Sequence, residues 1–134
     1  MAYATKDDIT ALYGADELLR VAEDEASPGE LDEAGVTAGL ANASAEIDGY
    51  VGVKYPLPLA ASTPTLQRLC VDIALYRLAL KAGPRTDEHR TRYEDAVALL
   101  TKIAAGKATI GIPVDQTEET GPDFGSGFLT WERG

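Results

Sequence analysis

The stretch that decides the fold lies between residues 43 and 78 and has three parts. They are ASAEIDGY at 43–50, YPLPL at 55–59 and LCVDIALYRL at 69–78. The first and third parts repeat apolar residues at helical spacing. The second cannot be helical, because each proline pushes the residue before it toward extended geometry. We therefore predict two apolar helices joined by an extended connector that packs over the body.

The helix that contains the third part is predicted at 63–82, with Thr63 as N-cap and Pro64 as its first residue. Its apolar residues cover most of its circumference, so other helices should surround it. Arg68 and Asp72 lie four residues apart on its polar side and are predicted to pair. Its main core stripe is predicted to contain Leu66, Leu69, Cys70, Ile73 and Leu80.

The remaining helices are predicted from their end signals. Thr5 followed by Asp8 is a variant of the capping box and opens a short helix, and Asp16 starts a second one. A third helix should span about residues 32–53, and the last should begin after Thr86 and end at Gly106. The expected fold is an all-α bundle of about five helices, two short and three long. Residues 1–106 form the predicted body, and residues 107–134 a flexible, partly extended C-terminal arm.

The composition fits one globular domain of 134 residues with 45% hydrophobic residues. No apolar run approaches the ~18 residues that a membrane span requires, and the N-terminus lacks the pattern of a signal peptide. We therefore expect a cytosolic chain with no membrane partner. A net charge of −10 also disfavours nucleic-acid binding, so no sequence-specific nucleic acid is expected as a partner.

The residue types that carry catalysis are scarce. The single cysteine, Cys70, falls on an apolar helical stripe and should be buried, while the single histidine, His89, falls in a basic turn that should be exposed. The acidic loop at 23–30 fails the calcium-loop pattern, because ligand positions fall on Ala26 and Pro28. We predict no catalytic, cofactor-binding or metal site, and a protein that is not an enzyme.

The charges are unevenly distributed. Residues 1–50 hold two bases and twelve acids, residues 51–107 hold nine bases and five acids, and residues 108–134 hold one base and five acids. The acids can serve solubility alone, or the acidic end of one copy can meet a basic patch of another. The candidate patch, called the basic corner below, consists of Lys81, Arg85, Arg90 and Arg92.

The C-terminal arm ends in large apolar residues. Residues 115–127 are polar, acidic and glycine-rich, which predicts flexibility, and they are followed by Phe128, Leu129 and Trp131. These three can fold back onto the body or can anchor the arm to a partner. From the sequence we favour the anchor.

These motifs resemble one family of phage proteins. The three parts quoted first, together with RYEDA at 92–96, are similar to the small head–tail adaptors of Mu-like tailed phages and prophages. The resemblance covers nearly the whole body, from YAT at 3–5 to IAAG at 103–106. The acidic loop departs from it, with SPG at 27–29 in place of a denser Asp/Gly run.

The resemblance implies a structural protein of the virion at the head–tail junction, present in the host cytoplasm during assembly. It implies three partners: the portal protein, a tail-proximal connector or tail terminator protein, and further copies in a homo-oligomeric ring of twelve subunits. The alternative is a small cytosolic, phage-encoded regulator that binds another protein. Ring formation or portal binding separates the two hypotheses.

Overall fold

The structure is a computed structural model that describes residues 2–59, 62–82 and 87–110, and these residues form five α-helices. The helices are α1 (Lys6–Tyr13), α2 (Ala15–Ala22), α3 (Glu33–Val51), α4 (Pro64–Ala82) and α5 (Asp87–Ala104). Within those ranges the only β pairing is an isolated bridge between Glu23 and Leu31. The predicted all-α class, with two short and three long helices, is confirmed.

Local sequence signals set the helix starts. The Thr5 hydroxyl accepts a hydrogen bond from the Asp8 amide, and the Asp8 carboxylate accepts one from the Thr5 amide at 2.8 Å, which completes the capping box of α1. The Thr63 hydroxyl likewise accepts from the Leu66 amide at 3.2 Å at the start of α4. Helix α3 is capped by Asp32, which accepts from the Gly35 amide at 3.0 Å. The proposed cap Thr86 lies outside the described residues.

Helix α4 is the centre of the bundle, as predicted, and contacts each of the other four helices. It runs antiparallel to α3, because Gly39 lies against Leu78 and Ser44 against Cys70. The residues of α4 with no exposed surface are Leu66, Cys70, Val71, Ile73, Ala74 and Ala79. One core prediction is wrong: Leu80 is 41% exposed, because it lies in the last turn of α4, where none of the other four described helices covers that side.

The connector between α3 and α4 packs over the body only in part. Tyr55 is buried and Leu59 packs against the core, whereas Leu57 remains 42% exposed. The end of the described chain returns to the same region, because the buried Ile110 accepts a hydrogen bond through its carbonyl from the Thr63 hydroxyl. The ends of α3 and α5 and the start of α4 therefore share one end of the bundle. No helix in the described part of the chain has the length and apolarity of a membrane span.

Candidate functional site

Within the basic corner, Arg92 is engaged inside its own chain. The guanidinium of Arg92 lies 4.0 Å from the ring centre of Tyr13, with Nη2 2.9 Å from Oε1 of Glu88 and Nη1 3.7 Å from Oε2 of Glu17. The Arg92 side chain is consequently only 19% exposed. This arginine ties α5 to α1 and α2, so it contributes to the bundle as well as to any surface.

His89 corrects a prediction. It was expected in an exposed turn, but its side chain is buried and its Nε2 lies 2.6 Å from Oε2 of Glu17. The reason is that His89 lies in the first turn of α5, on the side of the helix that faces Glu17 of α2. Glu17 therefore serves as the shared acidic partner of His89 and Arg92.

A part of the charge complementarity inferred from the sequence is thus met within one copy, through the pair of Arg92 and Glu17. Lys81 also borders a pocket on its own chain that is lined by the acids Glu23, Asp24, Glu25 and Asp32. Arg90 is more open, with its Nη2 3.5 Å from Oδ1 of the exposed Asp87. Arg85 lies outside the described residues, as do Phe128, Leu129 and Trp131. Their assignment to an interface stays a prediction.

Asp72 is a buried carboxylate at the junction of α1 and α4. It accepts a hydrogen bond from the Tyr13 hydroxyl at 2.6 Å, which replaces the predicted pair with Arg68 as its direct contact. Burial raises the pKa of Asp72, and the Tyr13 hydrogen bond and the charges of Arg92 and Arg68 offset only part of that rise. Burial likewise raises the pKa of Tyr13 to about 12. The arrangement anchors α1 to the central helix.

Cys70 is buried, as predicted. Its Sγ lies 3.5 Å from the hydroxyl of Ser44 and 3.7 Å from the carbonyl of Leu40. Burial raises the pKa of the thiol, so little reactive thiolate is present at neutral pH. Among the described residues, no group of three or more Cys, His, Asp or Glu side chains is arranged to hold a metal ion. Cys70 and His89 each pair with a different residue, Ser44 and Glu17.

A second cluster joins α3, α4 and α5 on the surface, and we call it the tyrosine patch: Glu46, Tyr50, Tyr76, Arg77 and Tyr93. Arg77 donates to Glu46 at 3.0 Å and to the Tyr93 hydroxyl at 3.1 Å, and that hydroxyl donates to Glu46 at 2.9 Å. The rings of Tyr76 and Tyr93 stack with centroids 4.2 Å apart and an interplanar angle of 12°. The Glu46–Arg77–Tyr93 contacts form a closed triangle, which holds these side chains in one arrangement.

The tyrosine patch has the composition of a binding surface. The Arg77 side chain is about half-exposed, and Tyr50, Tyr76 and Tyr93 are partly exposed. Tyrosine and arginine are the residue types that most often dominate the energy of protein interfaces. Because the patch is ordered in advance, a partner would lose little side-chain entropy on binding it.

Gly49 lies beside this patch on α3 and has no packing role within the described chain. A Cβ built on Gly49 meets nothing within 4 Å. In contrast, a Cβ on Gly39 would lie 3.4 Å from Leu78, and one on Gly35 would lie 2.4 Å from the capping carboxylate of Asp32. A glycine inside a helix costs ~1 kcal/mol relative to alanine. At Gly49 no packing contact within the described residues offsets this cost.

The tyrosine patch is absent from the contacts predicted from the sequence. All of its residues lie inside the motifs that carried the family resemblance, at 46, 50, 76, 77 and 93. The spacing along the chain gives no link between three separate helices, so the cluster is visible only in the fold. The available signal was a tyrosine on each of the three long helices, at positions 50, 76 and 93.

Comparison with known proteins identifies relatives of the chain. The family described as Bacteriophage Mu, Gp36 matches residues 3–126. The Mu-like prophage FluMu protein gp36 of Haemophilus influenzae is 38% identical over 106 residues, which cover 77% of this chain and 74% of the relative. Gene product J of Escherichia phage Mu is 32% identical over 112 residues, which cover 84% of this chain and 78% of the relative. The chain therefore belongs to the bacteriophage Mu Gp36 family.

Proposed function

We propose that the chain is a structural head–tail adaptor of a Mu-like phage or prophage, without enzymatic activity. In this proposal, copies form a ring beneath the portal and join the capsid to the tail. The partners are the portal protein, a tail-proximal connector or tail terminator protein, and neighbouring copies of the chain. Membership of a Mu phage family supports the phage context.

The observation that carries the proposal is the tyrosine patch with Gly49 beside it. A closed ring requires a heterologous interface, in which one surface of a subunit meets a different surface of its neighbour. The patch supplies preordered rings and the half-exposed Arg77, and Gly49 lets the facing backbone approach. The facing surface of the neighbour would be one of its other sides.

A pair of substitutions tests this surface. In Gly49→Lys, a long side chain projects from an exposed helical position beside the patch, while the fold of the single subunit is retained. Ala98→Lys is the matched control, because Ala98 is an exposed helical residue of α5 that lies well around the helix from Tyr93. Both variants are compared with the natural chain for entry into rings and for binding to the portal protein of the same phage.

We expect Gly49→Lys to fold, as judged by circular dichroism, and to fail in ring formation or portal binding, while Ala98→Lys assembles normally. Normal assembly of Gly49→Lys would contradict the assignment of this surface. If the natural chain neither enters rings nor binds the portal, the adaptor proposal is wrong, and the small protein-binding regulator becomes the better hypothesis.

A further inference from the structure

Three lysines at one end of the bundle stand out in an acidic protein. Lys54 follows the end of α3, Lys102 lies in the last turn of α5, and Lys107 follows it. The Lys54 Cε lies 3.4 Å from the position of a Cβ on Gly106, and the Lys107 amide donates to the Lys102 carbonyl at 2.8 Å. We call these three residues the basic pole. Within residues 2–59, 62–82 and 87–110, no carboxylate forms an ion pair with any of them.

Exposed apolar side chains accompany the lysines. Val53, which precedes Lys54, is 63% exposed, and the nearby Leu57 is 42% exposed. The negative ends of the α3 and α5 dipoles favour lysines at these positions, but they give no reason for large apolar groups in water. The combination of positive charge and apolar surface favours an acidic, aromatic peptide over nucleic acid, whose backbone offers phosphate charge and no apolar side chain.

The chain itself contains such a peptide and places its start at this pole. The described residues end at Ile110, whose carbonyl is held by Thr63 at the same end of the bundle. The segment 111–134 then carries five acids and one base, a net charge of −4, together with Phe128, Leu129 and Trp131. Charge and apolar character both complement the basic pole.

The connection is long enough. For a flexible chain of 18 residues between Ile110 and Phe128, the root-mean-square end-to-end distance is roughly 23 Å, from about 5–6 Å times the square root of the residue number. This is comparable with the length of α3, roughly 28 Å for its 19 residues. A tethered segment on this scale has an effective concentration on the order of millimolar at the pole, so weak pairing suffices.

We propose that segment 111–134 binds the basic pole of its own chain in the free protein. The sequence alone favoured an anchor on a partner, and the pole adds a binding site for the same segment before assembly. Its carboxylates lie against Lys54, Lys102 and Lys107, and its apolar residues cover Val53 and Leu57. This inference concerns the isolated chain and does not depend on the adaptor function.

Trp131 is the only tryptophan of the chain, so its fluorescence reports on the segment without a label. The assay is acrylamide quenching of Trp131 in the full chain, with the isolated peptide 111–134 as the reference for an unbound segment. The test variant is Lys54→Glu/Lys102→Glu/Lys107→Glu. The matched control is Lys6→Glu/Arg20→Glu/Arg68→Glu, which makes the same change in net charge at exposed or partly exposed residues outside the basic pole and the basic corner.

In the natural chain and in the control, we expect a quenching constant several-fold below that of the peptide and independent of protein concentration. The test variant and high salt should both raise it to the peptide value, because exposed charge pairs are screened and reversed charges repel. A natural chain that already quenches like the peptide would overturn the proposal. Protection of Trp131 from acrylamide that disappears on dilution would also overturn it. A third contradicting result would be an exposed Trp131 together with binding of duplex DNA by the basic pole.

Discussion

Gly49→Ala is the substitution for which the structure gives the clearest energetic expectation. The added Cβ meets no atom within 4 Å, and Gly49 is not among the glycines with a left-handed backbone. The change therefore removes the conformational freedom of glycine from the unfolded chain and introduces no strain. The difference in helix propensity between glycine and alanine limits the gain in stability to ~1 kcal/mol, and the lower entropy of the unfolded chain gives a gain of ~0.4–1 kcal/mol.

We expect Gly49→Ala to raise the free energy of unfolding by about 0.5–1 kcal/mol, which corresponds to roughly 2–5 °C in melting temperature for a domain of this size. Urea unfolding followed by circular dichroism measures the difference. Gly35→Ala is the control of opposite sign, because its Cβ would lie 2.4 Å from the Asp32 carboxylate and displace the N-cap of α3. That control should lose ~1 kcal/mol. A Gly49→Ala protein less stable than the natural chain would refute the assignment of Gly49 as an open helical position.

Three further predictions concern the core and the buried charges. In urea unfolding, Ile73→Ala should lower the free energy of unfolding by ~2–5 kcal/mol, while Leu80→Ala, at an exposed site of the same helix, should lower it by less than ~1 kcal/mol. Similar losses for the two variants would mean that α4 is not the central helix. In the same assay, Arg92→Ala should lower the free energy of unfolding by ~1–2 kcal/mol, because its contacts with Tyr13 and Glu17 are lost, and Arg90→Ala should lower it by less than ~0.5 kcal/mol. Equal losses for the two variants would show that Arg92 acts only as a surface charge. The folded-state pKa of Asp72 is raised. Its contribution to the free energy of unfolding is therefore most favourable below its unfolded-state pKa of ~3.9 and is lost as pH rises through its folded-state pKa. Asp72→Asn, which keeps an acceptor for the Tyr13 hydroxyl, should therefore be more stable than the natural chain at neutral pH, and this difference in stability should shrink as pH falls. A difference in stability that does not depend on pH would contradict the raised pKa of Asp72.

The fold was predictable because its signals are local. Capping residues such as Thr5 and Thr63 act on amides three residues away, and the apolar periodicity of α4 fixes which side faces the core. Cys70 could be placed in the core from that periodicity alone. These interactions need no knowledge of how the helices are arranged.

The wrong or missing predictions concern contacts between distant parts of the chain. The partner of His89 is Glu17, 72 residues earlier, and no local pattern connects them. The same limit applies to Tyr13 with Asp72, 59 residues apart, and to the tyrosine patch, which needs three helices to be in place. The uneven distribution of charge is a property of the sequence, but the sequence could not show that Glu17 pairs with His89 and Arg92 within one copy.

The measurement that tests the central proposal most directly is electron cryo-microscopy of the natural chain mixed with the portal protein of its phage. The account predicts a ring of the chain on the tail-facing end of the portal, with Gly49 and Arg77 buried between neighbouring subunits. A portal that carries no such ring, or a ring in which Gly49 and Arg77 remain exposed to solvent, would contradict it.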